Sequence, residues 1–146
     1  MFGLFKKRIP APEHERALFV KRLFLMRLND NPEAQMMAAM EGIDPTAIPP
    51  EALMQGAPEA TLFRVVEQFL QMKDQGATDE FAVQTLNEMH SSLLATAGES
   101  LPILPAGATL YHYVRHNLDC LHGHGGGITD QFVVNAIQEV KSFYKR

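Results

Sequence analysis

The feature that most constrains the fold of this chain is a segment that occurs twice. Residues 60–66, Ala-Thr-Leu-Phe-Arg-Val-Val, resemble residues 108–114, Ala-Thr-Leu-Tyr-His-Tyr-Val. Residues 76–83 resemble residues 127–134 in the same way, after three extra residues in the second copy. Over about 34 aligned positions twelve are identical, whereas chance would give about two or three. This similarity predicts a duplicated unit of about 50 residues. The alternative is two unrelated helix pairs that share a common kind of turn.

Each copy has the pattern of a helical hairpin. Its two helices each carry apolar side chains on one stripe, and the second has the spacing i, i+4, i+7 and i+11, which excludes strands. Between the helices a glycine accepts a positive φ, a threonine caps the second helix, and an aspartate suits the helix dipole. In the first copy these residues are Leu62, Val66, Phe69, Leu70, Gly76, Thr78, Asp79, Ala82, Leu86, Met89 and Leu93. In the second copy they are Leu110, Val114, Leu118, Gly127, Thr129, Asp130, Val133, Ile137, Val140 and Tyr144.

The chain before the repeat predicts further helices. Residues 13–28 predict a helix that is apolar around much of its girth, which suits a central position or contact with another chain. Asn31 predicts the cap of a second helix, with proline and glutamate in its first turn, and Gly42 predicts its end. Three prolines predict a loop at residues 43–50, and a short helix follows at 50–55.

The predicted fold is all-α: two tandem helical hairpins, at 60–93 and 108–144, packed with an N-terminal helical region. One hairpin cannot bury both of its apolar stripes, so the copies are expected to pack on each other and on the first helix. The predicted segments are a flexible N-terminal arm at 1–12 and a single helical domain at 13–146, divided into N-terminal helices at 13–56, the first hairpin at 57–95 and the second at 106–146. Residues 13–42 could be a degenerate third hairpin, but they share too few identities with the copies to decide this.

Charge and cysteine content restrict the class of protein. The net charge of −4 disfavours nucleic acid as a partner, because phosphate binding draws on a basic excess. One cysteine, Cys120, excludes an intrachain disulfide and fits a cytoplasmic setting. No apolar stretch is long enough to predict a transmembrane segment. The apolar and basic side chains of residues 1–8 would allow a weak contact with a membrane surface.

A histidine-rich stretch in the second copy is the strongest candidate for chemistry. The candidate metal ligands are His112, His116, Cys120, His122 and His124. The first three recur every four residues and so lie along one helix face, while the last two lie at the helix end beside a glycine run. Imidazole and thiolate are good ligands for zinc and other transition metals. The spacing matches no standard zinc motif, and in the first copy arginine and glutamine replace the first two histidines. A solvated helix face is therefore the alternative.

Two further features favour binding. The second copy gains three residues where the first makes a short turn, and insertions in repeat proteins tend to lie in binding loops. Methionines cluster in the N-terminal half, and methionine adapts to irregular partners, with core filling as the alternative. The candidate partner-binding residues are Gly123, Gly125, Gly126, Gly127, Met36, Met37 and Met40.

No catalytic arrangement has a recognisable local context. Cys120 and a neighbouring histidine could form a thiolate–imidazole pair, but methionine stands at the aligned position of the first copy, which favours packing. We therefore predict a non-enzymatic helical interaction module without a cofactor, which binds a protein partner or forms a homodimer. The alternative is a protein that binds a transition metal such as zinc through residues 112–127.

Overall fold

The computed structural model describes residues 12–96, 109–122 and 128–145, and in these residues the predicted all-α class is confirmed, without strands. Of the predicted arm at residues 1–12, residues 1–11 lie outside the described residues. The helices are α1 Glu13–Asn29, α2 Pro32–Met40, α3 Pro50–Gly56, α4 Pro58–Asp74, α5 Asp79–Thr96, α6 Leu110–His122 and α7 Asp130–Tyr144. Where a loop was predicted, Asp44 caps a short 3₁₀ turn at Pro45–Ala47. The arrangement of these helices as two tandem hairpins, and their origin by duplication, stay predictions.

Three helices begin at the caps that the sequence predicts. The Asn31 side chain accepts a hydrogen bond from the Ala34 amide at 3.2 Å, which starts α2. Thr78 Oγ1 accepts from the Phe81 amide at 3.2 Å, and Thr129 Oγ1 accepts from the Phe132 amide at 3.1 Å. Each contact satisfies a backbone donor that the first turn of a helix leaves free.

Replacing either capping threonine by alanine is expected to lower the free energy of unfolding by about 1 kcal/mol, because an orphan amide loses its acceptor. Urea denaturation of Thr78→Ala and Thr129→Ala measures this loss. Thr78→Ser and Thr129→Ser are the matched controls, since serine keeps the oxygen. An alanine variant as stable as its serine counterpart would contradict the capping role.

Helix α4 holds the centre of the fold. It packs against α1, α3, α5, α6 and α7. Its predicted stripe is buried, as are the predicted apolar positions on α6 and most of those on α7. The buried members are Leu62, Val66, Phe69, Leu70, Leu110, Val114, Leu118, Val133, Ile137 and Val140. Tyr144 is half-buried and packs against this core.

The predicted stripe on α5 is wrong at one position. Ala82 and Leu86 are buried, but 53% of Met89 is exposed. The buried face of α5 instead includes Val83 and Asn87, which rotates it by about one residue from the predicted stripe. Helix α5 packs against α4 and α6, and the exposed side chains of Phe81 and Met89 lie on its outer side. The side chain of Leu93 lies outside the described residues.

Aromatic side chains join the first and last described helices to α4. The rings of Phe19 on α1 and Phe143 on α7 stack with centroids 4.4 Å apart. The Phe63 ring of α4 lies 5.5 Å from the first and 5.8 Å from the second. At the surface beside them, Arg22 of α1 forms an ion pair with Glu139 of α7. Helix α7 therefore packs against α1 as well as against α4 and α6.

A buried ion pair fixes α1 against the start of α4. Arg27 Nε lies 2.6 Å from Glu59 Oε2, and Arg27 Nη2 lies 3.3 Å from Glu59 Oε1. Glu59 is fully buried, and the Arg27 side chain is 11% exposed. A carboxylate tolerates such burial because the guanidinium donates two hydrogen bonds to it.

Candidate functional site

Helix α2 is the least buried helix among those whose burial the structure describes in full. All nine of its residues are described, and none of them is buried. Its half-buried residues are Ala34 and Ala38, four apart on one face, and the helix packs against α1. Gln35 donates to the Leu28 carbonyl at the end of α1. Small alanines let α2 approach α1 closely, so its larger side chains point away from the core.

Three of those larger side chains are methionines. Met36, Met37 and Met40 are 64%, 62% and 80% exposed, and Ile43 after the helix is 46% exposed. We call these four residues the methionine surface. The alternative that these methionines fill the core is therefore wrong, whereas Met54 of α3 is half-buried against it. Grouped exposed apolar side chains often mark a surface that another molecule covers.

The predicted metal ligands do not come together in the described part of the chain. His112 Nδ1 lies 2.7 Å from Thr109 Oγ1 at the start of α6. His116 Nε2 lies 3.9 Å from Cys120 Sγ, while His122 faces α4. Among the described residues, no group of three or more histidine, cysteine, aspartate or glutamate side chains could hold a metal ion. His124 and the candidate glycines Gly123, Gly125, Gly126 and Gly127 lie outside these residues, so the metal site stays a prediction.

Cys120 is poorly placed for chemistry that requires a thiolate. The side chain is exposed on α6 and was expected to be a packing position. Its pKa is raised above the ordinary thiol value, first by partial burial of the sulfur and then by the negative charge of Asp119. Because the thiolate is the nucleophile and the metal ligand, this shift weakens both roles at neutral pH.

His122 connects the end of α6 to the centre of the fold. Its Nε2 lies 2.9 Å from Thr61 Oγ1 on α4. Partial burial lowers the pKa of His122 below 6.5; the charge of Glu59 opposes this shift and the charge of Arg27 adds to it. The folded protein therefore binds this proton more weakly than the unfolded chain does.

This difference in proton affinity predicts a pH dependence of stability. The free energy of unfolding should fall as the pH drops below about 6.5, and this loss should be complete below the folded pKa of His122. Urea denaturation of the native chain and of His122→Gln between about pH 8 and about pH 5 tests this. The substitution should remove part of the decline. Equal declines in the native chain and His122→Gln would contradict the assignment.

A polar cluster between α5 and α6 was not predicted. Tyr113 Oη lies 2.7 Å from His90 Nδ1, and the same nitrogen lies 3.2 Å from Asn117 Oδ1. Burial raises the pKa of Tyr113 well above its usual range, so its hydroxyl keeps its proton at neutral pH. One signal was present in the sequence: Asn117 aligns with Phe69 of the first copy. The cluster joins the two helices and does not border the depression described next.

A shallow depression of about 250 Å³ lies between the starts of α5 and α6 and the middle of α7. It is lined by Asp79, Thr109, Leu110, Tyr111, Val134, Ile137, Gln138 and Lys141. The carboxylate in this lining belongs to Asp79, whose Oδ1 lies 2.6 Å from Lys73 Nζ. The lining contains neither histidine nor cysteine, so the methionine surface remains the better candidate site.

Comparison with known protein families, with curated proteins and with solved structures gives no match. Across the described residues, no helix has both the length and the hydropathy needed to cross a membrane.

Proposed function

We propose that this chain is a non-enzymatic helical interaction module that binds a protein partner through the methionine surface. One observation carries the proposal: a nine-residue helix without a buried residue presents three methionines that are each more than 60% exposed. Burying a methionine side chain stabilises an assembly by about 1.5–3 kcal/mol. A partner that covers all three would therefore gain a large favourable free energy.

The chemistry of the surface supports a protein as the partner. The buried centres of protein interfaces are enriched in methionine and depleted of charge. The unbranched, polarisable methionine side chain also adapts to partners of different shape. The proposal places the module in the cytoplasm, with the single thiol of Cys120 as its support.

Selection from a displayed library of random peptides, with the full chain as bait, tests the proposal. The matched variants are Met36→Ser/Met37→Ser/Met40→Ser and, on α5, Phe81→Ser/Met89→Ser. The α5 side chains are also more than half exposed, so neither variant removes core packing. Enriched peptides should lose at least about tenfold in affinity for the α2 variant, which corresponds to about 1.4 kcal/mol. Their affinity for the α5 variant should be unchanged.

Two results would contradict the proposal. One is an absence of enriched peptides, and the other is binding that both variants weaken equally. Sedimentation velocity of the full chain shows in addition whether a second copy is the partner. A dimer that dissociates in the α2 variant, and persists in the α5 variant, supports the proposal with self-association as its form.

A further inference from the structure

We infer that the segment bound by the methionine surface is an amphipathic helix with basic residues beside its apolar side chains. This inference rests on the proposed function and adds the chemistry of the partner. Its starting point is a strong segregation of charge. Residues 28–63 contain six acidic residues and no lysine, arginine or histidine. The methionine surface lies in the middle of this stretch.

Two of the six acidic residues have a polar partner within the fold. Glu59 is paired with Arg27, and Glu51 lies 3.1 Å from the imidazole of His14. The other four are exposed around α2, and in the described residues none of them forms an ion pair with a basic side chain. They are Asp30, Glu33, Glu41 and Asp44.

The uncompensated carboxylates flank the apolar side chains closely. Glu33 and Glu41 lie four residues before and four residues after Met37, which places all three on one helix face. Hydrogen bonds from the side chain and amide of Thr46 lower the pKa of Asp44, so this carboxylate stays ionised at neutral pH. Lys21 is the nearby cation: it donates to the Thr46 carbonyl and adds to this lowering. Among the residues that the structure describes, the net charge around the methionine surface is therefore negative.

The methionine surface and the four carboxylates around it together select the class of ligand. Anionic membranes and nucleic acids present phosphates, which four uncompensated carboxylates repel. A basic amphipathic helix matches both the apolar side chains and the carboxylates. Its apolar stripe covers the methionines, while its lysine or arginine side chains pair with the surrounding carboxylates. Helix α2 is about 13 Å long, which corresponds to two or three turns of such a ligand. Charge complementarity also speeds the encounter and rejects acidic helices.

Two designed peptides of about 18 residues test the inference against the full chain. Both carry leucine at i, i+3, i+4 and i+7, and the remaining positions are lysine in one and glutamate in the other. Fluorescence anisotropy gives the Kd of each at about 50 mM and about 500 mM salt. The lysine peptide should bind at least about tenfold more tightly at low salt, and high salt should reduce this preference strongly.

Matched charge variants locate the effect. Glu33→Gln/Glu41→Gln should reduce the preference for the lysine peptide by about fivefold, since each exposed charge pair contributes modestly. Glu80→Gln/Glu88→Gln removes the same number of exposed carboxylates from α5 and should leave the preference unchanged. If both variants reduce the preference equally, the attraction is unspecific and the inference is overturned.

The remaining outcomes separate the inference from the proposed function. If both peptides bind equally and Met36→Ser/Met37→Ser/Met40→Ser abolishes binding, the docking surface stands and its charge selectivity is wrong. If neither peptide binds although the displayed library yields ligands of the methionine surface, the inference fails and the proposed function stands. If neither peptide binds and the library yields none, the proposed function fails with it.

Discussion

Replacing Arg27 by methionine is expected to lower the free energy of unfolding by about 3–5 kcal/mol. The substitution keeps an apolar stem of similar length but removes both hydrogen bonds to Glu59. That carboxylate is fully buried against α1, so it loses its partner without gaining water. The penalty comes from this uncompensated charge rather than from lost packing. Urea denaturation at neutral pH, followed by circular dichroism at the helix signal, measures it.

Two controls separate this explanation from a general effect of losing an arginine. Arg22 lies on the same helix, but its side chain is 60% exposed in its pair with Glu139, so Arg22→Met should change stability by less than about 1 kcal/mol. The double variant Arg27→Met/Glu59→Met should recover most of the loss, because a buried pair replaced by apolar side chains is often neutral. A double variant as unstable as the single one would show that packing, and not charge, causes the loss.

Replacing Phe63 by alanine is expected to be similarly damaging, at about 3–5 kcal/mol. Its ring contacts those of Phe19 and Phe143, so removing it opens a cavity where α1, α4 and α7 meet. Because the interior is closely packed, these helices cannot close such a space without losing contacts elsewhere. Thermal and urea unfolding of Phe63→Ala, with near-UV circular dichroism of the remaining aromatic rings, measure both the loss and the loosened packing.

Phe81→Ala is the matched control for that substitution. The same side chain is removed, but from the outer side of α5, where 60% of it is exposed. Its loss should change the free energy of unfolding by less than about 0.5 kcal/mol. Comparable losses in the two variants would contradict the arrangement of the core.

Local signals in the sequence predicted the ends of helices well. Thr78 and Thr129 act through backbone amides three residues away, and Gly76 has the positive φ expected after a helix. Such interactions are complete within one turn of chain, so neighbouring residues suffice to predict them. The stripe on α4 was likewise evident, because its apolar residues recur at helical spacing.

Contacts between distant parts of the chain could not be predicted. Arg27 and Glu59 are 32 residues apart, and Thr61 and His122 are 61 residues apart. Neither partner indicates the other in sequence. The face of α5 was misplaced for a related reason: Asn87 is polar, so the apolar pattern could not indicate that Asn87 is buried while Met89 is exposed.

The candidate site was predicted by residue type but not by exposure. The sequence indicated Met36, Met37 and Met40 as partner-binding residues, with core filling as the alternative. What decides between these two is the use of alanine, and not methionine, on the side of α2 that meets α1. Helical spacing places both kinds of residue on the helix but does not tell which side the neighbour will occupy.

The contact of α1 with α7 has a consequence for how the molecule unfolds. In an open array of hairpins each unit touches only its neighbours, so units can melt one after another from an end. Here the first and last described helices are held together through Phe19 and Phe143, and both cover α4. Detaching either helix would expose the buried side chains of α4 that both helices cover. A partly unfolded state is therefore unfavourable. Heating should therefore produce one cooperative transition.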